Sequence, residues 1–154
     1  LEDLNISAEE VQFAAIANMK KQAKIQTMRE ILSEHFLETE VSPQKESSAE
    51  MYVVSAGDDL ITGKLSNGAA AILSRSIRKQ IVKRMGGNAY LLPSSIEEFI
   101  VCPEIKGEEK ELLKMVYSIN HSDIIPDSLF LSNSIYYLEE NGDIRVITSE
   151  KMKP

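Results

Sequence analysis

The fold class is decided by one stretch near the end of the chain, Ile135-Tyr136-Tyr137-Leu138-Glu139-Glu140-Asn141-Gly142-Asp143-Ile144-Arg145-Val146-Ile147. Two runs of β-branched and aromatic residues, 135–138 and 144–147, flank a polar turn. The Asn141-Gly142 pair favours a type I′ turn, the kind that joins the two strands of a hairpin. Because such a tight turn connects antiparallel strands, the stretch predicts an antiparallel sheet.

Four more strands are predicted before this hairpin from short apolar runs, at residues 51–55, 69–73, 89–92 and 96–101. With two helices between them, the order after residue 50 is β-β-α-β-β-α-β-β. Strands joined by short turns lie antiparallel, and we expect the helices to pack on one face of the sheet. The prediction is an α+β fold with a mostly antiparallel sheet of about six short strands.

The two helices of this part are indicated by apolar residues at helical spacing. The first is capped by Ser74 or Ser76 and ends at Gly86-Gly87, where a left-handed residue is needed. Its apolar positions are Ile77, Ile81, Val82 and Met85. The second begins at Gly107-Glu108-Glu109, and its buried stripe is predicted to contain Leu112, Met115, Val116 and Ile119.

Two capping boxes predict a pair of helices at the start of the chain. Ser7 pairs with Glu10, and Thr27 pairs with Glu30, each at the spacing the motif requires. A short basic connection at residues 20–24 joins the helices, although one long helix through it is also possible. The polar stretch that follows is predicted to be a linker. The predicted divisions are a helical pair at 1–37, a polar linker at 38–50, an α+β domain at 51–148 and a frayed tail at 149–154.

Composition limits the classes of protein that the chain can be. It has 154 residues, 24 acidic against 17 basic side chains and a formal net charge of −7. A single cysteine cannot form an internal disulfide, and Cys102 with two histidines is too small a set of ligands for a zinc or iron–sulfur site. We therefore expect no metal and no cofactor, and a reducing cytoplasm as the location.

Two further expectations concern the ends and the surroundings of the chain. No apolar run approaches the roughly 20 residues of a membrane span, so no membrane partner is expected. The first residue is Leu1 rather than methionine, and we expect the chain to be part of a longer protein.

The order of several motifs resembles a bacterial family, the domain of unknown function 5688 type, which is common in gut Firmicutes. The motifs are residues 51–55, 68–70, 90–96 and 135–137. The chain is similar to the C-terminal part of a longer family protein, and the resemblance implies an intracellular bacterial origin and no particular chemistry. Glu97 stands where family members have a histidine, and the connection from Gly57 to Asn67 is longer than theirs. Both departures argue against a histidine-based activity here.

A hydrolase is one alternative that the residues leave open. Ser94 and Ser95 follow a predicted strand, and His121 has Asp123 beside it, where a carboxylate can orient an imidazole. No Gly-x-Ser-x-Gly elbow surrounds the serines. Because no spacing links the four residues, serine hydroxyls that cap local amides in a polar bend are the more ordinary interpretation.

The helix at residues 75–84 departs from the acidic balance of the chain, and a solvated basic face is its ordinary interpretation. It contains five cations and no acid, namely Arg75, Arg78, Lys79, Lys83 and Arg84. A phosphate stripe would look like this, but aromatic residues are not interleaved and the rest of the chain is acidic, so nucleic acid is not the expected partner. An acidic protein surface fits better, either on another protein or on an N-terminal part of the same protein.

The tyrosines of the last hairpin are the second predicted contact surface. Successive strand residues point to opposite faces, so only one of Tyr136 and Tyr137 can face the core, and the other is a candidate partner contact. Cys102 is interpreted as a small buried residue. The sequence contains no complete catalytic or cofactor motif, so the leading hypothesis is a non-catalytic interaction or scaffold domain. The hydrolase is the first alternative, and weak nucleic-acid binding is the second.

Overall fold

The structure, a computed structural model, describes residues 6–35, 50–57, 67–122 and 125–148. In chain order its helices and strands are α1 (Ala8–Gln22), β1 (Ala23–Thr27), α2 (Met28–His35), β2 (Tyr52–Ala56), a 3-10 helix (Gly68–Leu73), α3 (Arg75–Met85), β3 (Ala89–Pro93), β4 (Phe99–Pro103), α4 (Glu109–Asn120), a short 3-10 turn (Asp127–Leu129), β5 (Ile135–Leu138) and β6 (Ile144–Ile147). Among the described residues, no helix is long and apolar enough to cross a membrane.

The six strands form one open sheet in the order β1-β2-β4-β3-β5-β6. Every neighbouring pair is antiparallel, and in the centre Leu91 lies between Val101 on one side and Tyr136 on the other. The prediction of an α+β fold with an antiparallel sheet of six short strands is confirmed.

Helices cover both faces of this sheet, so the expectation that they share one face is wrong. On one face, α3 and the long 3-10 helix pack over Leu91, Val101 and their neighbours. On the other, Leu112, Leu113 and Val116 of α4 pack over Tyr90 and Leu92. The reason lies in β3, whose five residues are all buried, because a strand that is apolar on both sides needs a layer on each.

The start of the chain contributes a strand where only a connection between helices is predicted. Both capping boxes are present: Glu10 N donates to Ser7 Oγ over 3.1 Å, and Glu30 N donates to Thr27 Oγ1 over 3.0 Å. Between the two helices, β1 pairs with β2 along its whole length, from Ala23 opposite Ala56 to Thr27 opposite Tyr52. The N-terminal segment therefore supplies an edge strand of the sheet.

The predicted strand at residues 69–73 is a 3-10 helix, and the prediction is wrong because three alanines and only one β-branched residue, Ile72, favour a strand weakly. A Cβ on Gly68 would lie 2.5 Å from the nitrogen of Ala56 and against the carbonyl oxygen of Glu97. Such close approach of two backbone segments requires glycine at this position.

Three smaller features also differ from the predictions. β4 begins at Phe99 rather than Ile96. The stripe of α4 buries Leu113, whereas Met115 and Ile119 are exposed. In the last hairpin, Gly142 N donates to Glu139 O over 2.8 Å and Gly142 has a φ of +85°, so the glycine follows the turn as a left-handed bulge residue and is not a central residue of a type I′ turn.

The linker predicted at 38–50 lies outside the described residues apart from Glu50, and the tail predicted at 149–154 lies wholly outside them. The division of the chain into these parts stays a prediction. The described part shows that residues on both sides of the linker belong to one sheet.

Candidate functional site

The two serines proposed for the hydrolase alternative hold the bend after β3. Ser94 Oγ donates to Glu98 Oε1 over 3.1 Å, and Ser95 Oγ accepts from the Glu97 nitrogen over 3.0 Å. These are local contacts of the kind that stabilise a polar bend. Glu97 lies in the same bend and is half-buried.

His121 follows the end of α4 and is exposed. Its ring stacks on Tyr117 with the ring centres 4.0 Å apart, and its Nδ1 lies 2.8 Å from the Tyr117 carbonyl oxygen. Within the described ranges, no hydrogen bond joins His121 to either serine. Asp123 lies outside the described residues, so the serine, histidine and aspartate arrangement stays a prediction.

The three arginines of α3 all contact other parts of the protein. Arg78 donates from Nε to Gly142 O over 2.7 Å and from a terminal nitrogen to Ile72 O over 2.7 Å. Arg75 forms an ion pair with Asp143 at 3.1 Å, and Arg84 donates to Ile25 O over 2.6 Å. These side chains fasten α3 to the last hairpin and to β1, a role that their spacing in the sequence does not reveal.

The lysines of the same helix are placed differently. Lys79 and Lys83 are exposed, and in the described part of the chain neither side chain forms a hydrogen bond or an ion pair. Within the described structure, the arginines of α3 are engaged in contacts with the protein, whereas the ammonium groups of Lys79 and Lys83 can still pair with an acidic partner.

Tyr136 and Tyr137 pack on opposite faces of the sheet. Tyr136 is half-buried and meets Phe99 edge to face, with ring centres 5.8 Å apart. Tyr137 is buried and meets Tyr90 in the same manner at 5.4 Å. Because helices cover both faces, each tyrosine has a core to pack against, which the assumption of a one-sided sheet did not allow.

A polar cluster surrounds the tyrosines on the α4 face. Glu104 accepts from Asn88 over 3.1 Å and from Tyr137 over 2.8 Å, and these two hydrogen bonds lower the pKa of its carboxyl. Burial raises the pKa of the Tyr137 hydroxyl, and the hydrogen bond to Glu104 adds to the effect. The guanidinium of Arg145 lies 4.2 Å from the centre of the Tyr137 ring.

The rest of the cluster is arranged in the same way. Tyr90 donates to Glu109 over 3.1 Å, and burial together with this hydrogen bond raises the pKa of Tyr90. The side-chain Oδ1 of Asn88 accepts from the backbone nitrogen of Glu140 over 2.9 Å. These hydrogen bonds hold α4, β3 and the last hairpin together.

An apolar groove with a volume of about 780 Å³ lies beside α4. Volumes of this size are common for binding sites. We call it the apolar groove, and it is lined by Met28, Arg29, Glu50, Met51, Leu92, Ile100, Cys102, Pro103, Ile105, Glu108, Leu112 and Met115.

The walls of the apolar groove contain large apolar side chains that are exposed. The exposed fractions are 43% for Met51, 51% for Ile105 and 48% for Met115. Its floor is the buried surface of Leu92, Cys102 and Leu112. Exposed apolar side chains scattered singly are normal, but several around one concavity mark an interaction surface.

The titratable groups among the described lining residues do not form an acid–base pair. Burial raises the pKa of the Cys102 thiol to about 11, so the thiol is protonated at neutral pH. Glu50 accepts from the Tyr52 hydroxyl over 3.1 Å, and Arg29 and Glu108 are exposed at the rim. The arrangement suits binding of apolar groups better than proton transfer.

The apolar groove has no signature in the sequence, because its residues come from separate segments of the chain. Met28 and Met51 meet where the Met28 nitrogen donates to the Met51 carbonyl oxygen over 2.9 Å, and Met115 of α4 lines the same groove. The sequence pattern predicts Met115 to be buried in the stripe of α4, whereas the structure exposes it in the groove. No group of three or more metal-ligating residues is found within the described ranges.

Comparison with known proteins agrees with the family resemblance of the strand and turn motifs. The model of a family of unknown function, DUF5688, matches residues 1–140. No curated protein and no solved structure matches the chain. Since the match covers nearly all of the sequence, the chain belongs to the DUF5688 family of unknown function.

Proposed function

We propose that this chain is a non-catalytic protein-interaction domain and that its contact surface is the apolar groove. The observation that carries the proposal is the placement of Met51, Ile105 and Met115, three exposed apolar side chains, around one concavity. Covering them removes apolar surface from water, which is the main favourable term in most protein association.

The composition of the groove supports a protein segment as the ligand. Three of its side chains are methionines, Met28, Met51 and Met115, and unbranched thioether chains adapt to differently shaped apolar partners. The charged side chains stand at the rim, as is common in protein interfaces, where the centre is apolar and the edge is polar.

A second contact remains open to an acidic partner. Lys79 and Lys83 extend from α3 on the other face of the sheet. They support the expectation that an acidic surface, on another protein or on further sequence of the same protein, meets this helix. The bacterial and cytoplasmic setting belongs to this proposal too, supported by the family resemblance and by the single cysteine.

Capture of partners with matched baits tests the proposal. The whole chain is immobilised in three forms: unchanged, with Met115→Glu in the groove, and with Val146→Ala at an exposed site on β6. We expect a protein that is retained by the unchanged chain and by the Val146 variant, and lost with the Met115 variant. Equal retention by all three forms, or turnover in a substrate screen without any retained protein, would contradict the proposal.

A further inference from the structure

The two edges of the open sheet, β1 and β6, differ in what lies against them. In an antiparallel ladder, every second residue of an edge strand directs its N–H and C=O groups away from the neighbouring strand. Such a row of backbone groups is a template for a further strand unless the protein covers it. The register of the strand pairs determines which residues carry these outward groups at each edge.

The edge at β1 is covered by contacts within the protein. Ala23, Ile25 and Thr27 direct their backbone groups away from β2. The Ile25 carbonyl oxygen accepts from Arg84 over 2.6 Å. The Thr27 nitrogen donates to Glu30 Oε2 over 2.7 Å. Since the chain continues as helix at both ends of this strand, α1 before it and α2 after it, an added strand would have to displace several contacts.

The edge at β6 has no such cover within the part of the chain that the structure describes. The Glu139 nitrogen donates to the Asp143 carbonyl oxygen over 2.9 Å, and hydrogen-bonded pairs of β5 and β6 follow at every second residue from there. The N–H and C=O groups of Ile144 and Val146 therefore point away from β5. No hydrogen bond to either group is found among the described residues.

The side chains of β6 leave this edge accessible. The exposed fraction of Val146 is 42%, and no proline or bulge interrupts residues 144–147. A charged side chain often protects an edge strand, but Arg145 is held back over its own sheet. Its guanidinium lies 4.2 Å from the centre of the Tyr137 ring, and its Nη2 lies 3.6 Å from the Glu109 carboxylate.

We propose that β6 pairs antiparallel with β6 of a second copy of the chain about a two-fold axis, so that one sheet runs through both molecules. The inference goes beyond the apolar groove and does not depend on it. A second copy supplies a strand that β5 already holds extended, so less conformational entropy is lost than when an unfolded segment binds. Because the edge at β1 is covered, the assembly closes at two copies.

Like charges exclude one register of this pairing. Outward groups must face outward groups, so the two-fold axis passes beside Ile144, Arg145 or Val146. An axis at Arg145 sets two guanidinium groups directly opposite each other, which is destabilising in a cross-strand pair. The axis therefore lies beside one of the two aliphatic residues.

Hydrogen bonds that are already made exclude a second register. An axis at Ile144 would pair Val146 with Gly142 of the other copy. The Gly142 nitrogen already donates to Glu139, and its carbonyl oxygen already accepts from Arg78. An axis at Val146 avoids both conflicts, because it pairs Ile144 with Thr148 and places each Arg145 opposite Ile147.

A matched pair of variants at Val146 tests the contact by sedimentation. Val146→Pro removes an outward N–H and no hydrogen bond of the ladder with β5, since proline is tolerated on an edge strand at such a position. Val146→Ala keeps this N–H. The mass of the unchanged chain and of the alanine variant should rise with concentration to that of two copies and stop there. Val146→Pro should keep the mass of one chain.

A disulfide at the axis tests the register without the proline variant. Val146→Cys places two Cα atoms about 5.5 Å apart, a separation that a disulfide spans. Arg145→Cys is the matched control, because its two copies lie diagonally, about 7–8 Å apart. Under mild oxidation, we expect Val146→Cys to form a covalent dimer much faster than Arg145→Cys. The native thiol, Cys102, is buried and does not compete.

Three results would overturn the inference. An unchanged chain that keeps the mass of one copy at every concentration does not pair through β6. Association that Val146→Pro leaves unchanged would place the contact elsewhere. Faster cross-linking of Arg145→Cys than of Val146→Cys would contradict the register. Retention of a partner in the capture experiment is a separate result, because Met115→Glu leaves the edge at β6 unchanged.

Discussion

Arg78 on α3 donates from its Nε to the carbonyl oxygen of Gly142 over 2.7 Å, 64 positions further along the chain. The same guanidinium donates to the carbonyl oxygens of Ile72 and Leu73 at the end of the 3-10 helix. One side chain thus satisfies backbone acceptors of two elements that contact α3. A cation that the sequence suggested for partner binding has a structural role.

Removing this guanidinium should destabilise the fold. Arg78→Met keeps the apolar stem and leaves three carbonyl groups without their donor, and we expect the free energy of unfolding to fall by about 2 kcal/mol. Lys79→Met, at the neighbouring exposed cation, should change it by less than about 0.5 kcal/mol. Urea unfolding of both variants measures the difference. If both variants lose the same free energy of unfolding, the hydrogen bonds of the Arg78 guanidinium do not stabilise the fold.

Gly68 should tolerate no side chain. Its missing Cβ faces backbone atoms of Ala56 and Glu97, which cannot move aside as a flexible side chain can. We expect Gly68→Ala to lower the free energy of unfolding by about 3 kcal/mol, as overpacking does in a rigid site. The control is Gly87→Ala, whose Cβ would meet the Glu140 carboxylate at an ordinary 3.7 Å. Thermal unfolding compares them, and a Gly68 variant as stable as the control would contradict the close approach.

Glu104 should make stability depend on pH in the acid range. Hydrogen bonds from Asn88 and Tyr137 hold the pKa of Glu104 below its ordinary value of 4.5, so the folded state binds fewer protons than the unfolded state. This contribution is complete above pH 4.5 and is lost as the pH falls through the lower, folded pKa. Glu104→Gln should therefore show a shallower loss of stability in acid, and Tyr137→Phe an intermediate one. Parallel curves for all three proteins would exclude the effect.

Cys102 should react slowly in the folded protein. Burial raises its pKa from 9.0 to about 11, which leaves roughly a hundredfold less thiolate at pH 8. Because Cys102 is the only cysteine, the rate with a thiol reagent reports this site alone. We expect slow labelling of the native chain and fast labelling in denaturant. Rapid labelling of the native chain would indicate an activated thiol and would revive the case for catalysis.

Features with a local cause could be predicted from the sequence. The capping boxes of Ser7 and Thr27 and the left-handed Gly86 that ends α3 are determined by neighbouring residues, and all three are present. Strand β1 was missed because its five residues lie between two helices. Its conformation is fixed by pairing with Tyr52–Ala56, a contact across some thirty positions of chain.

The apolar groove could not be predicted for a related reason. Met28, Leu92 and Met115 carry no common pattern in the sequence, and they meet only because α4 packs on the second face of the sheet. The exposure of Met115 and Ile105 likewise depends on where α4 lies. The sequence pattern leads us to expect all helices on one face of the sheet. A groove between α4 and the second face is therefore not expected from it.

The central claim is that the apolar groove is the surface through which the chain binds. Its most direct test is methyl NMR of the six methionines, three of which line the groove. As the chain is mixed with a captured partner, the account predicts that the methyl signals of Met28, Met51 and Met115 shift, while the signal of Met85, at the end of α3 on the other face of the sheet, does not. Shifts at Met85 with unchanged groove signals would contradict the account.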